Sequence, residues 1–314
     1  MFLTLVTVVL PVFLVIAAGA AAVRGRLISA GAIDGIMVYA QSFALPCVLF
    51  RGIADLDLGA VFSPRLLFSF YFGAVTCFVL GILGARRLFG ARPGESVAIG
   101  FAALFSNSLL LGMPIMASAY GPDSLAPNFA IISIHAPFCY LLGITTMEVS
   151  RADGRGWRDT ARAIAKALFR NALMIGLALG FLVNLSGAPL PAPLRVGVDM
   201  IADSALPTAL FGLGGVLTRY SLHAKLGEAG MIAGLSLIVH PSIVYVLTQH
   251  VFALPEGFVR SAVVTAAMAP GVNAYVFASL YARAQAEAAS GVLIATAASV
   301  VTVTFWLGLL GGAG

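Results

Sequence analysis

Apolar residues occur along this chain in long runs that short polar segments separate. Ten runs of roughly 18 to 25 residues lie near residues 4–22, 32–50, 66–85, 96–120, 125–148, 168–187, 197–217, 228–252, 260–282 and 286–310. An apolar helix of about 20 residues crosses the hydrocarbon core of a bilayer. The pattern therefore predicts an all-α integral membrane protein with ten transmembrane helices, which we number as spans 1 to 10 in chain order.

Composition supports the same class. Hydrophobic residues are 60% of the chain and charged residues only 10%, whereas about a quarter of the residues of a soluble domain are charged. The chain has no GxxxxGK[ST] phosphate-binding loop, no GxSxG motif and no HExxH motif. Its three cysteines, Cys47, Cys77 and Cys139, fall inside predicted spans without a CxxC pair. We therefore expect no cofactor, no metal, no nucleic-acid partner and no enzymatic activity.

Basic residues are distributed unequally between the two sets of loops. The loops after spans 1, 3, 5, 7 and 9 hold fourteen of the eighteen Lys and Arg residues, and the other four are Arg51, Arg65, Arg195 and Arg260. Loops rich in Lys and Arg remain in the cytoplasm. The distribution predicts a multi-pass protein with both termini outside.

Two short sequences recur at one offset. Residues 44–50 read ALPCVLF and residues 205–211 read ALPTALF, while ASAY at 117–120 returns as ASLY at 278–281, and both pairs are 161 positions apart. Because each half holds five spans, an odd number, the second copy enters the membrane in the opposite orientation. We predict two inverted five-helix repeats, residues 1–148 and 168–314, joined by a basic cytoplasmic linker at 149–167.

Helix-breaking residues occupy corresponding places in the two repeats. Span 4 contains Gly112 and Pro114, and span 9 contains Pro270 and Gly271. Proline removes a helical hydrogen bond and glycine weakens a helix, so we predict broken helices in both spans. The repeated ALP sequences also carry prolines, Pro46 and Pro207, as helix-break or hinge candidates. Paired broken helices are typical of transporters, although a single proline can also kink a membrane helix without further purpose.

Polar residues near these breaks are candidates for substrate binding. Asn107 lies seven residues before Pro114, and Asn273 lies three after Pro270. An amide can contact a ligand or cap freed backbone, and both roles remain open. Half-helices that begin at the breaks would favour an anion. Ser42, Ser108 and Tyr275 could line the same cavity, or could be ordinary interhelical residues.

Ionisable residues within spans are candidates for ion coupling because they are costly in a membrane. Asp203 in span 7 could bind a proton or a sodium ion, or could cap the helix before Pro207. His135 in span 5 and His240 in span 8 could relay protons. A single membrane histidine can instead serve as an interhelical hydrogen-bonding group.

The stretches FALPCVLF, SNSLLLGMPIMASAYG, SALPTALFGLGGVL and PGVNAYVFASLY together resemble the auxin efflux carrier family. That family contains the plant PIN-FORMED carriers and bacterial permeases that include malonate and malate carriers. The resemblance implies two inverted repeats with a scaffold part and a transport part, and organic anions as substrates. It places Asn107, Gly112 and Pro114 on one crossing helix, and Pro270, Gly271 and Asn273 on the other.

Two departures from the plant carriers refine the expectation. The central linker is short, and residues 66–83 contain none of the charges usual in the third span, so a supporting charge would lie elsewhere, for example at Asp203. We expect a bacterial inner-membrane secondary transporter of small carboxylates, malonate-like dicarboxylates first, that works by alternating access. Alternatives are a carrier of auxin-type hydrophobic weak acids, an intramembrane enzyme, or a membrane receptor without transport. By analogy the protein could form a homodimer.

Overall fold

A computed structural model of the chain describes residues 2–151, 162, 172–187, 189–219 and 225–311. These residues are helical, with one isolated backbone bridge and no strand among them. The helices are α1 Phe2–Arg24, α2 Ala30–Ala54, α3 Leu58–Val61, α4 Pro64–Phe89, α5 Pro93–Leu104, α6 Ser108–Tyr120, α7 Ala126–Arg151, α8 Ala172–Ser186, α9 Ala192–Asp203, α10 Ala205–Leu217, α11 Leu226–Val251, α12 Glu256–Ala266, α13 Val272–Leu280 and α14 Gln285–Leu309.

Length and composition identify the described helices that can cross a membrane. Six segments are long and apolar enough: Ala30–Ala54, Pro64–Phe89, Pro122–Ser150, Ala192–Leu217, Leu226–Val251 and Gln285–Leu309. Shorter apolar helices cover Leu10–Arg24, Ser108–Tyr120 and Ala172–Ser186. The protein is thus an all-α, multi-pass membrane protein. Most of the predicted linker at 149–167, and residues 168–171 of predicted span 6, lie outside the described residues.

Local signals set several helix ends. The Ser29 hydroxyl accepts a hydrogen bond from the Ala32 backbone N–H at 3.2 Å, which caps α2. Ser63 caps α4 in the same way, and Pro64 occupies its first turn, where a missing N–H costs nothing. Gly90 ends α4 in the left-handed conformation with φ 64°, which glycine adopts without strain.

Three helices pass a proline by widening one turn. The π turns Ala40–Ala44, Ser108–Gly112 and Leu235–Val239 each end two residues before a proline, namely Pro46, Pro114 and Pro241. Proline lacks an N–H and its ring crowds the carbonyl four residues earlier, and a π turn re-spaces these groups. The helix containing Pro46 therefore continues through it. At Pro207 the arrangement differs, because the chain turns at Ser204 between α9 and α10.

The chain packs into two compact units. Unit 1 contains residues 1–13, 62–156 and 220–314, and unit 2 contains residues 14–61 and 157–219. Unit 1 thus holds α4–α7 and α11–α14, and unit 2 holds α2, α3, α8–α10 and the later part of α1. Each unit draws on both halves of the sequence. The two predicted repeats, residues 1–148 and 168–314, are defined by sequence symmetry and not by compactness. They stay a prediction.

Glycines bring helix backbones together in unit 2. A Cβ atom at Gly19 of α1 would overlap the carbonyl oxygen of Phe211 in α10. A Cβ atom at Gly180 of α8 would lie 2.9 Å from the carbonyl oxygen of Phe50 in α2. Polar groups add a further contact, since the Asn184 amide donates to the carbonyls of Ile53 and Ala54 at the end of α2 and of Leu56 just after it.

Candidate functional site

Two helix breaks meet inside unit 1. The first break, residues 105–107, separates α5 from α6, and the second, residues 267–271, separates α12 from α13. The Asn107 N–H donates to the Ala269 carbonyl at 2.8 Å, and the Gly271 N–H donates to the Phe105 carbonyl at 3.1 Å. Ser106 and Pro270 form the antiparallel bridge between them. We call the two breaks, residues 105–107 and 267–271, together with the first turns of α6 and α13 that follow them, the crossing. Each break thereby satisfies backbone groups of the other that hydrocarbon could not.

The first break is displaced from the residues that sequence analysis singled out. Gly112 and Pro114 lie within α6, where the π turn Ser108–Gly112 accommodates the proline. Pro270 and Gly271 lie within the second break itself. The predicted break at 112–114 was therefore wrong by about one helical turn or more. Ser and Asn favour non-helical and capping positions, so the SNS sequence at 106–108 was the signal that could have located it.

Two half-helices begin at the crossing. α6 starts at Ser108 directly after the first break, and α13 starts at Val272 directly after the second. The first N–H groups of a helix lack intrahelical partners and carry partial positive charge. The crossing thus combines two helix N-termini, an arrangement that favours negative charge.

Asn107 lies at the first of these N-termini and is 6% exposed. Its side chain makes no capping hydrogen bond to α6, although its backbone bonds to Ala269. A Cβ atom at Gly271 would lie 3.6 Å from the Asn107 amide oxygen. Of the two roles considered for Asn107, capping of α6 by its side chain is absent, and its amide adjoins the second break.

The Asn273 amide lies in the first turn of α13. Its oxygen accepts a hydrogen bond from the Tyr140 hydroxyl of α7 at 3.3 Å. Tyr275 lies two residues further along α13 and is half-buried. Ser108 is buried, and its hydroxyl lies 2.8 Å from that of Ser106. The crossing thus gathers Asn107, Ser108, Asn273 and the start of α13 within one unit.

Aromatic rings flank the crossing on the α5 and α13 side. Phe101 and Phe277 stack with centroids 3.9 Å apart, and the Tyr140 ring lies 5.5 Å from Phe101 and 5.8 Å from Phe105. We call Phe101, Phe105, Tyr140 and Phe277 the aromatic cluster. The sequence did not predict this cluster, because no local pattern indicates that rings on α5, α7 and α13 will meet.

The two candidate histidines, His135 and His240, both pack against Phe70. His135 and His240 are buried, with ring centroids 5.6 and 5.0 Å from that of Phe70. The His240 Nε2 atom lies 3.2 Å from the Phe70 carbonyl oxygen. His135 also packs against Phe105, at 4.8 Å between centroids, and so reaches the crossing. Across the described ranges, no three His, Cys, Asp or Glu side chains approach as a metal site would require.

The remaining candidates belong to unit 2. The Asp203 side chain is 69% exposed and forms an ion pair with Arg51 at 2.8 Å. Arg51 also contacts Asp199 at 3.4 Å. Ser42 is exposed on the π turn of α2, and Pro207 is exposed in the first turn of α10. Asp203 therefore has a basic partner, which the sequence analysis had not foreseen for this ion-coupling candidate.

The chain is similar to known membrane transport proteins. The family described as "Membrane transport protein" matches residues 4–307. A protein of Rhizobium meliloti (strain 1021) named "Putative malonate transporter" is 25% identical over 282 residues, which cover 89% of this chain and 87% of that protein. Both matches extend across units 1 and 2 and include the crossing.

Proposed function

Because the chain belongs to the membrane transport protein family, that of the auxin efflux carriers, we propose that it is a secondary transporter of small organic anions. Transport follows from the family; the substrate and the mechanism are our proposal. The observation that carries the proposal is the crossing, where α6 and α13 both begin and where Asn107 and Asn273 lie. Helix N-termini and amide N–H groups can bind a carboxylate without a buried cation.

We propose a short dicarboxylate such as malonate as the substrate. The name of the Rhizobium meliloti relative supports this choice. A dicarboxylate has two negatively charged ends, and the crossing offers two helix N-termini and two amides to contact them. Gly271, Pro270, Gly112 and Pro114 would shape the site, and Ser108 and Tyr275 would complete its polar lining. Ser42, which lies in unit 2, stays a further prediction.

One observation favours a second substrate class. The aromatic cluster of Phe101, Phe105, Tyr140 and Phe277 offers ring faces and edges close to the crossing. Such rings would pack well against a hydrophobic weak acid of the auxin type. Competition between the two classes of acid decides between these substrates.

The proposed mechanism is alternating access in a pair of inverted five-helix repeats. Helix bounds support the repeats: shifting α2, Ala30–Ala54, by 161 gives residues 191–215, close to the segment Ala192–Leu217. Shifting α4, Pro64–Phe89, gives 225–250, close to Leu226–Val251. Repeats of this kind bind substrate where broken helices cross and expose it to each side in turn.

Contacts in unit 2 support the same symmetry. Shifting Gly19 by 161 gives Gly180, and shifting Phe50 gives Phe211. The close approach of Gly19 to the Phe211 carbonyl therefore has a counterpart in that of Gly180 to the Phe50 carbonyl, with the halves exchanged. A pseudo-two-fold axis between the repeats would produce this exchange.

The proposal extends to location and coupling. We propose a bacterial inner membrane with both termini outside, on the distribution of basic residues. We also propose proton coupling through His135, since it packs against Phe105 of the crossing. Three further predictions stay: proton relay through His240, sodium coupling through Asp203, and formation of a homodimer.

The test is uptake of labelled malonate into proteoliposomes that contain the purified protein, with and without an inward proton gradient. We expect saturable uptake that Asn107→Ala reduces at least about tenfold, because the lost contact is a hydrogen bond to a charged group. Asn184→Ala is the matched control: it removes an amide of unit 2 that donates to the carbonyls of Ile53, Ala54 and Leu56. That variant should lose stability but keep its KM for malonate.

The outcomes separate the parts of the proposal. Uptake in wild type that Asn107→Ala leaves unchanged would remove the crossing as the binding site. No malonate uptake by a folded preparation, with indole-3-acetate taken up instead, would replace the dicarboxylate by an auxin-type acid. Uptake indifferent to the gradient would indicate a uniporter.

A further inference from the structure

Tyr140 joins an unbroken helix to a half-helix of the crossing. It lies on α7, and its hydroxyl donates to the amide oxygen of Asn273 in the first turn of α13. Resting on the proposed function, we propose that Tyr140 is a positioning residue. It fixes the Asn273 amide so that the oxygen is bound to the hydroxyl and the nitrogen is left to donate to a carboxylate substrate.

The surroundings of Tyr140 determine the direction of this hydrogen bond. The Tyr140 ring contacts Phe101, Phe105 and Phe277, with centroids 5.5, 5.8 and 6.5 Å away. Those side chains carry no oxygen or nitrogen, so none can accept the hydroxyl proton in the manner of a carbonyl. If the amide turned over, the hydroxyl would accept from the Asn273 nitrogen and would lose the acceptor that the Asn273 oxygen provides for its own proton.

The orientation of the amide decides what the site can bind. An amide oxygen facing the site would repel a carboxylate, whereas the amide nitrogen offers N–H donors. The α13 N-terminus contributes partial positive charge beside it. Fixing the nitrogen as the free group therefore favours anions over cations and over neutral donors.

Tyr140 is itself held in place by packing. Phe101 stacks on Phe277 at 3.9 Å between centroids and lies against α7 at Gly143, where a Cβ atom would overlap its ring. Tyr140 lies one turn before Gly143 on the same helix. The glycine thus lets the aromatic cluster pack against α7. The cluster in turn holds the Tyr140 ring where its hydroxyl reaches the Asn273 amide.

A double-mutant cycle tests the proposal with Tyr140→Phe, Asn273→Ala and the combined variant. The Kd for malonate is measured on purified protein from the dependence of the thermal midpoint on malonate concentration. We expect Tyr140→Phe to raise the Kd about 3- to 10-fold, as the loss of one hydrogen bond would. On the Asn273→Ala background the same substitution should change the Kd less than about twofold, because the group it positions is gone.

Tyr71→Phe is the matched control. The Tyr71 hydroxyl also bonds to α7, donating to the Ile131 carbonyl at 2.7 Å, and its partner is not Asn273. This variant should lower the thermal midpoint and leave the Kd for malonate unchanged. A comparable rise in Kd for Tyr71→Phe would attribute the effect of Tyr140→Phe to general loosening of α7.

Two results would overturn the role of Tyr140. One is an unchanged Kd in Tyr140→Phe; the other is an equal rise in Kd with and without Asn273, which would indicate direct contact with the substrate. Failure of the proposed function is distinguishable, because a folded wild-type protein would then show no malonate-dependent shift. In that case the thermal midpoints of the four ligand-free proteins decide, since additive midpoints would disprove the bond between Tyr140 and Asn273.

Discussion

Gly271, in the second break, lies close to both the Asn107 amide and the Phe105 ring. Its backbone, with φ −76° and ψ 166°, is one that any residue can adopt. A Cβ atom there would lie 3.6 Å from both the Asn107 amide oxygen and the Phe105 ring. Those are ordinary van der Waals distances, so an added methyl group would fit while occupying the space beside the amide.

Gly271→Ala should therefore fold normally and bind malonate less well. We expect a thermal midpoint close to that of wild type and a rise in KM of about 10-fold, since displacement of a bound carboxylate by even one methyl group is worth on the order of 1–3 kcal/mol. Uptake kinetics measure the change. An unchanged KM would show that the substrate does not contact this side of Asn107.

The two ionisable candidates Asp203 and His135 differ in their exposure and in their contacts. Asp203 is exposed and paired with Arg51, whereas His135 is buried beside Phe105. The Asp203 carboxylate is therefore neither deeply buried nor without a counter-charge. An exposed ion pair of this kind contributes only about 0–1 kcal/mol to stability. Of the two, His135 is the one that contacts a residue of the proposed substrate site, Phe105.

We accordingly predict that His135→Gln abolishes the stimulation of malonate uptake by an inward proton gradient, while Asp203→Asn retains it. Glutamine keeps hydrogen-bonding groups, but unlike histidine it cannot take up and release a proton near neutral pH. The measurement is the ratio of initial uptake rates with and without the gradient. Loss of stimulation in Asp203→Asn alone would transfer the coupling role to unit 2.

Two local features shape the helices of this protein: π turns before prolines, and glycines at close helix contacts. π turns let α2, α6 and α11 continue through prolines, and glycines let α1 and α8 approach carbonyls of α10 and α2. The first adjustment preserves a helix that proline would otherwise end. The second permits the close backbone packing by which membrane helices associate.

Gly19→Ala and Gly180→Ala should each destabilise the protein by about 1–3 kcal/mol, because the new methyl group would press on a backbone carbonyl that cannot move aside. Gly197→Ala on α9 is the control, since no heavy atom lies within 4 Å of its added Cβ position. Thermal unfolding in detergent is the measurement. Equal midpoints for all three variants would contradict the packing described for unit 2.

Over the whole molecule, the sequence halves and the compact units cut the chain in different ways. Unit 1 takes the start of α1 and α4–α7 from the first half and α11–α14 from the second, and unit 2 takes the later part of α1, α2, α3 and α8–α10. The crossing, the aromatic cluster and both histidines all belong to unit 1. Inverted repeats that each contribute to both units would explain this division.

The topology prediction can be tested with reporters fused to the complete chain. With both termini outside, alkaline phosphatase at the C-terminus should be active and green fluorescent protein there should be dark, while either reporter inserted at residue 160 should give the opposite result. The reason is the excess of basic residues in that linker and the other odd-numbered loops. Fluorescence at the C-terminus would reverse the proposed orientation.

Much of the architecture follows from the sequence because its determinants are local. A run of about 20 apolar residues predicts a membrane helix wherever it occurs, and the segments Pro64–Phe89 and Gln285–Leu309 agree closely with predicted spans 3 and 10. Proline and glycine in spans 4 and 9 likewise predicted interrupted helices, although in span 4 the break lies at residues 105–107 rather than at 112–114. Family membership could also be inferred from short quoted stretches.

The partners of the polar groups were decided only by tertiary structure. Tyr140 bonds to Asn273 across 133 positions, and Arg51 bonds to Asp203 across 152. The break at 105–107 was likewise fixed by hydrogen bonds to residues 269 and 271 of the other break, rather than by Gly112 and Pro114. Local patterns determine where a helix can form, but which polar groups face one another depends on packing between distant segments, and a single sequence does not record that packing.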